Sequence, residues 1–564
     1  MKLDLVCQTE RHVDGVYTSY LTDPQCHWRT AGKGTTAAYC EASAYGEAME
    51  HLSTHYAFNI STASETARKY GGFYRYPDEK VYPLESIPEL SPAVMEDLRE
   101  PYLRAGRKPP EKIGLLSLWK RILGSNTTSF VPFYHVNEGK QVLLPDQVLA
   151  KLCGTNGGGC GNTPEEAIGH ALDEIVERGC KYVIFSRHLT PPEVPDAYIE
   201  KRCPELLQLK QRIEKQGHLK VLVLDASLGK GYPVVLIVLM DPAARRYLVN
   251  FGCHPLFELA LERCFTEIFQ DRRVVPDLLE RKDMAVWSDF ESSEIDCQRN
   301  WIKLLEDDLG LWPEELFGGR PSWPFSEWPV YENYSNRVGM QSQLNRLQKN
   351  GADIFIRNVS FLNFPVYKVY IPGVSTSHIS FTEDILEDLS VPGKMKAFLR
   401  EEPDRTEMQK LGEQVFGCES IMGRMFFYRL SNEEFALLHG AFLMEYGDQK
   451  RAYHLIRPWN GENAVMAARV LEMEGHMELQ QATDCAKRFA SRSASEFLDR
   501  FFSEHPFKNM LAYYHFSSDS RESMTGENIL PQRDALLMKI KDYMAAHMQT
   551  QEEIGRIVGG RNGL

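Results

Sequence analysis

The apolar period changes along this chain. In GGGCGNTPEEAIGHALDEIVERGC, from Gly157 to Cys180, the residues Ala167, Ile168, Ala171, Leu172, Ile175 and Val176 recur at helical spacing. Asn162 and Thr163 are N-cap candidates, Pro164 suits a first turn, and Glu166 lies three residues beyond Thr163, as in a capping box. At about 100° per residue, Glu166, His170, Glu174 and Glu177 fall within roughly 80° of one another, at the edge of the apolar side. Elsewhere the runs are short and β-like. KYVIFSR from Lys181, LKVLVLDAS from Leu219, PVVLIVLM from Pro233, RYLVNFG from Arg246 and PVYKVYIPG from Pro365 predict strands. LKVLVLDASLGKGYPVVLIVLM reads as two strands joined by a Gly-rich turn, so the sheet is expected to be mixed or antiparallel in part. After Pro392 the strand pattern stops, and NEEFALLHGAFLMEYGDQKRAYHLI, ENAVMAARVLEMEG and ELQQATDCAKRFA keep helical spacing with short polar joints. The fold expected is α/β with α+β character: a mixed-sheet domain over residues 1–390, then an all-helical domain over 391–564 whose paired helices resemble tetratricopeptide repeats.

The helix start is repeated. When Gly32 is laid on Gly159, the residues Gly34, Thr36, Ala44, Glu47 and Glu50 meet Gly161, Thr163, Ala171, Glu174 and Glu177. Both copies read GxGxT followed by AxxExxE. A fainter copy starts at Gly252, where GCHPLFELALERCFTEIFQ sets Arg263, Glu267 and Gln270 at the same i, i+4, i+7 spacing. Three helices thus each offer a polar triplet: Ser43/Glu47/Glu50, His170/Glu174/Glu177 and Arg263/Glu267/Gln270. Neighbouring like charges on a helix cost a few tenths of a kcal/mol. A solvated face needs neither a repeated register nor a place at the border of the apolar side, so the triplets point to one shared site.

Composition sets the surroundings of that site. The 564 residues are 43% hydrophobic and 25% charged, enough for two or three domains. No run approaches the roughly 18 apolar residues that would span a bilayer. MKLDLVCQTERHVDG lacks the basic start and apolar core of a signal peptide, so the expected location is the cytoplasm. The net charge is −14, from 64 basic and 78 acidic residues, and the basic residues form no long stripe, which argues against direct nucleic-acid binding. The 12 cysteines are scattered singly with no CxxC pair, against a disulfide framework or a structural zinc.

Carboxylates without cysteine partners suit a hard cation, above all Mg2+. Glu47, Glu50, Glu174 and Glu177 would repel a bare polyphosphate, so more than one Mg2+ is expected between acids and phosphates, with Arg263 on phosphate directly. GGGCGNT adds backbone amides at a helix N-terminus, which favour an anion. There is no Walker A lysine and no kinase Gly-rich loop with its HRD and DFG companions, so the familiar nucleotide folds are disfavoured. A dinuclear hydrolase is the alternative, although it would call for more histidines than the nearby His170 and His254. His170 suits a hydrogen-bonding role better than ligation, and with Glu267 and Gln270 it stands as a secondary candidate.

GTNGGGCGNTPEEAIGHALDEIVER and GKGTTAAYCEASAYGEAMEHLSTHY, followed in order by DASLGKGYPVVLIVL, FGCHPLFELALERCFTEIFQ and VYKVYIPGVS, resemble the YcaO family of ATP-using enzymes over roughly residues 5 to 385. The resemblance implies that ATP and Mg2+ activate a backbone amide. A nucleophile adds to the carbonyl carbon, the amide oxygen is phosphorylated, and loss of phosphate leaves an azoline, a thioamide or an amidine. It also implies that Glu47, Glu50, Glu174 and Glu177 hold Mg2+, and that Ser43, Asn162, Glu166, Arg178 and Arg263 belong to the ATP site. Read from their sequence positions alone, Asn162 suits a helix cap and Arg178 a partner for a local acid.

The helical tail resembles that of stand-alone bacterial members, which are associated, as accessory factors to a radical methylthiotransferase, with beta-methylthiolation of a small-subunit ribosomal protein. The partners implied are a peptide or protein substrate, that ribosomal protein and that methylthiotransferase, with a homodimer left open. The alternatives are an azoline- or thioamide-forming enzyme and a catalytically inert scaffold with a degenerate nucleotide site. Two departures from the family pattern bear on this choice. Little precedes Ser43 where the family carries a lead whose lysine and serine approach the nucleotide, and His170 stands where close relatives carry glutamine. The tail is expected to recruit a polypeptide partner rather than to catalyse.

Overall fold

The apolar runs of the first four hundred residues become three antiparallel sheets. The computed structural model describes residues 5–12, 15–23, 28–54, 76–104, 107–123, 125–215, 219–242, 246–268, 294–306, 310–379, 405–416, 432–446, 449–474, 476–513 and 531–559. The first sheet is β1 (Val6–Arg11), β2 (Tyr17–Asp23) and β3 (Trp28–Gly34), in that order. A second holds β4 (Lys80–Pro83), β5 (Thr127–His135), β6 (Lys140–Pro145), β7 (Gly158–Cys160), β11 (Phe355–Asn358) and β12 (Val366–Tyr370). Its order is β4-β5-β11-β12-β7, with β6 also on β5. The third is the meander β8 (Lys220–Asp225), β9 (Val234–Asp241) and β10 (Arg246–Cys253). Every described pairing is antiparallel, so the sheets are not mixed. The unbroken apolar run of β9 is buried on both faces from Val234 to Met240, as expected of a central strand.

One expected strand is absent. KYVIFSR continues the helix before it, which runs from Pro164 to Ser186 and is capped at Arg187. Val183, Ile184 and Phe185 favour strands by propensity. At helical spacing, however, Ile184 and Phe185 join the buried face already made by Ile175, Val176 and Cys180, and that packing decides the outcome.

Three helices follow three strands directly. They are α1 (Ala37–Ser53) after β3, α2 (Pro164–Ser186) after β7 and α3 (Phe257–Glu267) after β10. Each strand-to-helix step depends on a glycine. A Cβ would lie 2.2 Å from the Cys40 carbonyl oxygen at Gly32, 2.3 Å from that of Ala167 at Gly159 and 2.2 Å from that of Ala260 at Gly252. In all three the carbonyl belongs to the residue eight positions on, so the sequence repeat is a structural one. The three units also close on one another, since α1 packs on β3 and β7, α2 on β7 and β10, and α3 on β10 and β3. A further helix, α4 (Asn336–Lys349), packs along α2.

Two compact units result. One comprises Met1–Glu291, Leu304–Ser380 and Ile529–Leu564, and the other Ser292–Lys303 and Phe381–Asn528. The second unit has a core that includes Leu438, Phe442, Phe497, Phe501 and Phe507, from helices such as Asn432–Tyr446, Arg492–Phe501 and Pro506–Tyr513. The chain end returns to the first unit, where helix α5 (Glu552–Val558) packs on β5 and β11. Among the described residues no helix is long and apolar enough to cross a membrane.

Candidate functional site

Ring closure sets the polar stripes against one another. The first two helices start alike: Thr36 and Thr163 are N-caps with φ/ψ of −134/155° and −133/156°. Their hydroxyls accept from the amides of Tyr39 and Glu166 at 3.2 Å each. The third start has Leu256 in that place and no side-chain cap, which matches its fainter signature.

Equivalent positions meet at each junction. Between the first and second units, a Cβ at Gly46 would lie 3.1 Å from Cys160 Sγ, and one at Gly158 would lie 2.6 Å from Glu50 Oε1. Asp173, equivalent to Gly46, joins the second unit to the third. Arg263 Nη1 donates to Asp173 Oδ2 at 3.1 Å and to the Cys253 carbonyl at 2.6 Å, while Gln343 of α4 caps the same carboxylate. Between the third and the first, Lys33 Nζ lies 2.7 Å from Glu267 Oε1 and Thr35 donates to Glu262 at 3.1 Å.

The acids of α1 and α2 crowd one another. Glu174 Oε2 accepts from the Gly157 amide at 2.9 Å and its Oε1 lies 2.7 Å from Arg178. Burial, then the carboxylates of Glu174 and Glu47, push the Glu50 carboxyl up to about 8, with Arg178 pulling the other way. Burial and Glu267 push Glu177 up as well, against Lys33 and Arg263. His51 lies 3.9 Å from Glu47, but burial holds its pKa at about 4, so it brings no positive charge at neutral pH.

The remaining candidates serve local structure in this state. Asn162 donates to Glu166 Oε2 through its backbone amide at 3.0 Å and through Nδ2 at 3.3 Å. Ser43 Oγ accepts from the Lys33 amide at 3.4 Å. His170 Nδ1 shares a hydrogen bond of 2.9 Å with the Cys160 carbonyl, and burial, with Arg263 nearby, lowers its pKa to about 4. Gln270 lies outside the described residues.

Asp173 and Lys33 were not foreseen. Asp173 is 2% exposed, and its signal was a lone carboxylate among Leu172, Ile175 and Val176. Burial pushes it up to about 7, and Arg263 and Gln343 oppose that. Lys33 sits inside GKG, a lone lysine between two glycines with no spacing that marks it.

These groups fit Mg2+ in one particular way. Among the described residues no three acids, imidazoles or thiols converge as a ready cage. Mg2+ rarely uses such a cage, and is usually held by one or two carboxylates together with substrate phosphates. The buried acid group around Glu50 has Arg178 as the cation acting on it, and a divalent ion would let those acids ionise together.

Residues 31–375 match a family model described as YcaO cyclodehydratase, ATP- and Mg2+-binding. The ribosomal protein S12 methylthiotransferase accessory factor YcaO of Escherichia coli K12 is 30% identical over 370 residues, covering 64% of this chain and 60% of that protein. An uncharacterized protein of Haemophilus influenzae is 28% identical over 377 residues, with the same 64% and 60% coverage. The match therefore spans 60% of the length of both relatives. Among solved structures, YcaO from Methanopyrus kandleri bound with AMPPCP and Mg2+ aligns with a TM-score of 0.40 at 18% identity, over 66% of this chain and 86% of that one. A heterocyclase in complex with substrate and cofactor aligns with a TM-score of 0.42 at 19% identity, over 66% and 49%. The family match takes in more than half of the sequence and all three strand–glycine–helix units, so this chain belongs to the YcaO family, with ATP and Mg2+ as the cofactors of its domain.

Proposed function

We propose that this protein uses ATP and Mg2+ to activate a peptide backbone amide by phosphorylating its oxygen, and that it acts as an accessory factor in beta-methylthiolation of a small-subunit ribosomal protein. The closed ring of three strand–glycine–helix units carries the first part, because it brings Glu50 of α1 beside Glu174 of α2 and Arg263 of α3 within the field of Glu177. When bound, Mg2+ screens the polyphosphate and ATP supplies the phosphoryl group. Glu47, Glu50, Glu174 and Glu177 hold the cations in this reading, and Ser43, Asn162, Glu166 and Arg178 border the nucleotide. Arg263, fixed through Nη1, would offer its remaining guanidinium donors to phosphate. Similarity to the Escherichia coli accessory factor supports the second part. A second reading, an inert interaction scaffold, draws on two internal ion pairs, Arg178 with Glu174 and Lys33 with Glu267, which already neutralise part of the ring.

Calorimetric titration with Mg-ATP, followed by a phosphate-release assay with and without the ribosomal protein, separates the two. Binding, with release stimulated by the protein substrate, is expected. An absence of binding at millimolar ATP leaves the scaffold.

A further inference from the structure

The side of α2 away from Glu174 lines a separate feature. Val176, Gly179, Cys180, Val183 and the C-cap Arg187 follow one stripe, roughly opposite Glu174 at about 100° per residue. The stripe walls a cavity of about 370 Å3, closed on other sides by Lys230 and Tyr232 of the β8–β9 turn and by Val374 beyond β12. Tyr232 is also a wall of a second cavity of about 180 Å3, which Arg346 and Gln343 of α4 line. Gln343 in turn lines a small recess beside Glu166, His170 and Asp173. The cavities thus share walls in series, from the back of α2 to the edge of the acid cluster.

Their charge runs against that of the chain. The whole protein carries −14, yet the larger cavity is lined by two cations, Arg187 and Lys230, and by no carboxylate. Among the described residues neither cation has an ion-pair partner. Arg346 adds a third positive charge in the second cavity, and the acid there, Glu327, lies 3.4 Å from Lys201. Gln343 is 2% exposed, its Nε2 donates to Asp173, and its Oε1 accepts from nothing described. Such a buried acceptor is unfavourable while unpaired, and a ligand N–H satisfies it.

We propose that these cavities form the docking track for an acidic peptide segment of the protein substrate. Its carboxylates pair with Arg187 and Lys230, and a backbone N–H meets Gln343 Oε1 at the approach to the acid cluster. The inference rests on the amide-activation reading. A polynucleotide would match the charge but not the walls. The larger cavity is flanked by Val176, Val183 and Leu347, which suit peptide side chains, and its Tyr182 ring is already stacked on His378 at 3.9 Å, which leaves Tyr232 rather than a row of rings for bases to stack on.

The test uses the full chain and fluorescence anisotropy, with a short labelled peptide of alternating glutamate and glycine and its glutamine counterpart. The acidic peptide should bind at least about tenfold more tightly than the neutral one, with an affinity that falls as salt rises. The double variant Arg187→Glu/Lys230→Glu should lose that binding by about tenfold or more. Arg187→Lys/Lys230→Arg should keep it, and both should bind Mg-ATP like the parent. Equal binding of the two peptides overturns the proposal, and that comparison needs no variant. So does unchanged binding by the charge-reversed variant, or tighter binding of a single-stranded oligonucleotide of equal charge. Acidic-peptide selectivity without Mg-ATP binding would sink the nucleotide reading and leave this track standing, whereas Mg-ATP binding without selectivity would do the reverse.

Discussion

At the scale of single residues, the site is a balance between buried acids and the few cations that face them. Asp173 is buried and its partner Arg263 half-buried, and removing the carboxylate costs about 1–3 kcal/mol, because the guanidinium loses its charged acceptor. Asp173→Asn should therefore lower the unfolding temperature of the cation-free protein. Mg-ATP should recover part of the loss, since the proposed phosphate contact would restore an anion beside Arg263. Thermal melts with and without Mg-ATP decide this, and a variant as stable as the parent in both would count against the pair. Arg263→Lys keeps the charge and loses the planar fork, so Mg-ATP affinity in calorimetry should fall about tenfold. Glu50 works in the opposite sense. Its carboxyl is raised from 4.5 to about 8, so its contribution to the stability of the cation-free protein is full below about 4.5 and is lost as pH rises through about 8. In the proposed site Glu50 binds the cation as the carboxylate, so the Mg-ATP-induced rise in melting temperature should grow between pH 6 and pH 9. Glu50→Gln should stabilise the cation-free protein at pH 8 and flatten that profile.

Among the elements, the glycine at the strand-to-helix step sets the geometry, and it can be tested against a control in the same helix. A Cβ at Gly159 would stand 2.3 Å from a backbone carbonyl, so Gly159→Ala should cost about 2–3 kcal/mol in denaturant unfolding. Gly169, inside α2, has nothing within 4 Å of a Cβ, and Gly169→Ala should stabilise by about 0.5–1 kcal/mol. Similar effects from the two would mean that the close approach is not a constraint. This device was legible in sequence because steric demand leaves a fixed mark: a glycine that admits no Cβ and a helix register recur in all three units, with a hydroxyl cap in the first two. What depends on long-range packing was not legible. KYVIFSR has strand composition and is helix, and Asp173 lies on the apolar side of α2, where a carboxylate makes sense only once α3 and α4 are in place. The convergence of three stripes needed the ring to close, which no local pattern states.

For the whole molecule, the expected division at residue 390 meets a chain end that comes back. Gln551 is buried, and its side chain completes the backbone of β11: Oε1 accepts from the Asn358 amide at 2.7 Å and Nε2 donates to the Asn358 carbonyl at 3.2 Å. Gln341 of α4, on the helix that also supplies Gln343, donates to the Val558 carbonyl at 2.8 Å. A chain ending at Lys394 would strip these partners from Asn358 and uncover the surface under Ile554 and Ile557, both buried. Each unpaired buried backbone group costs about 1–3 kcal/mol, so this truncation should be poorly soluble or markedly destabilised. Gln551→Ala in the full chain should reproduce part of the loss, roughly 2 kcal/mol. Replacing Phe381–Asn528 by a flexible linker while keeping Ile529–Leu564 should instead preserve Mg-ATP binding and remove protein recruitment, if the helical unit recruits as its sequence leads one to expect. Calorimetry with Mg-ATP on the two shortened chains discriminates. Binding by the chain ending at Lys394 with full-length affinity would show the returning segment to be dispensable, and loss of binding by the linker variant would place the helical unit within the nucleotide machinery.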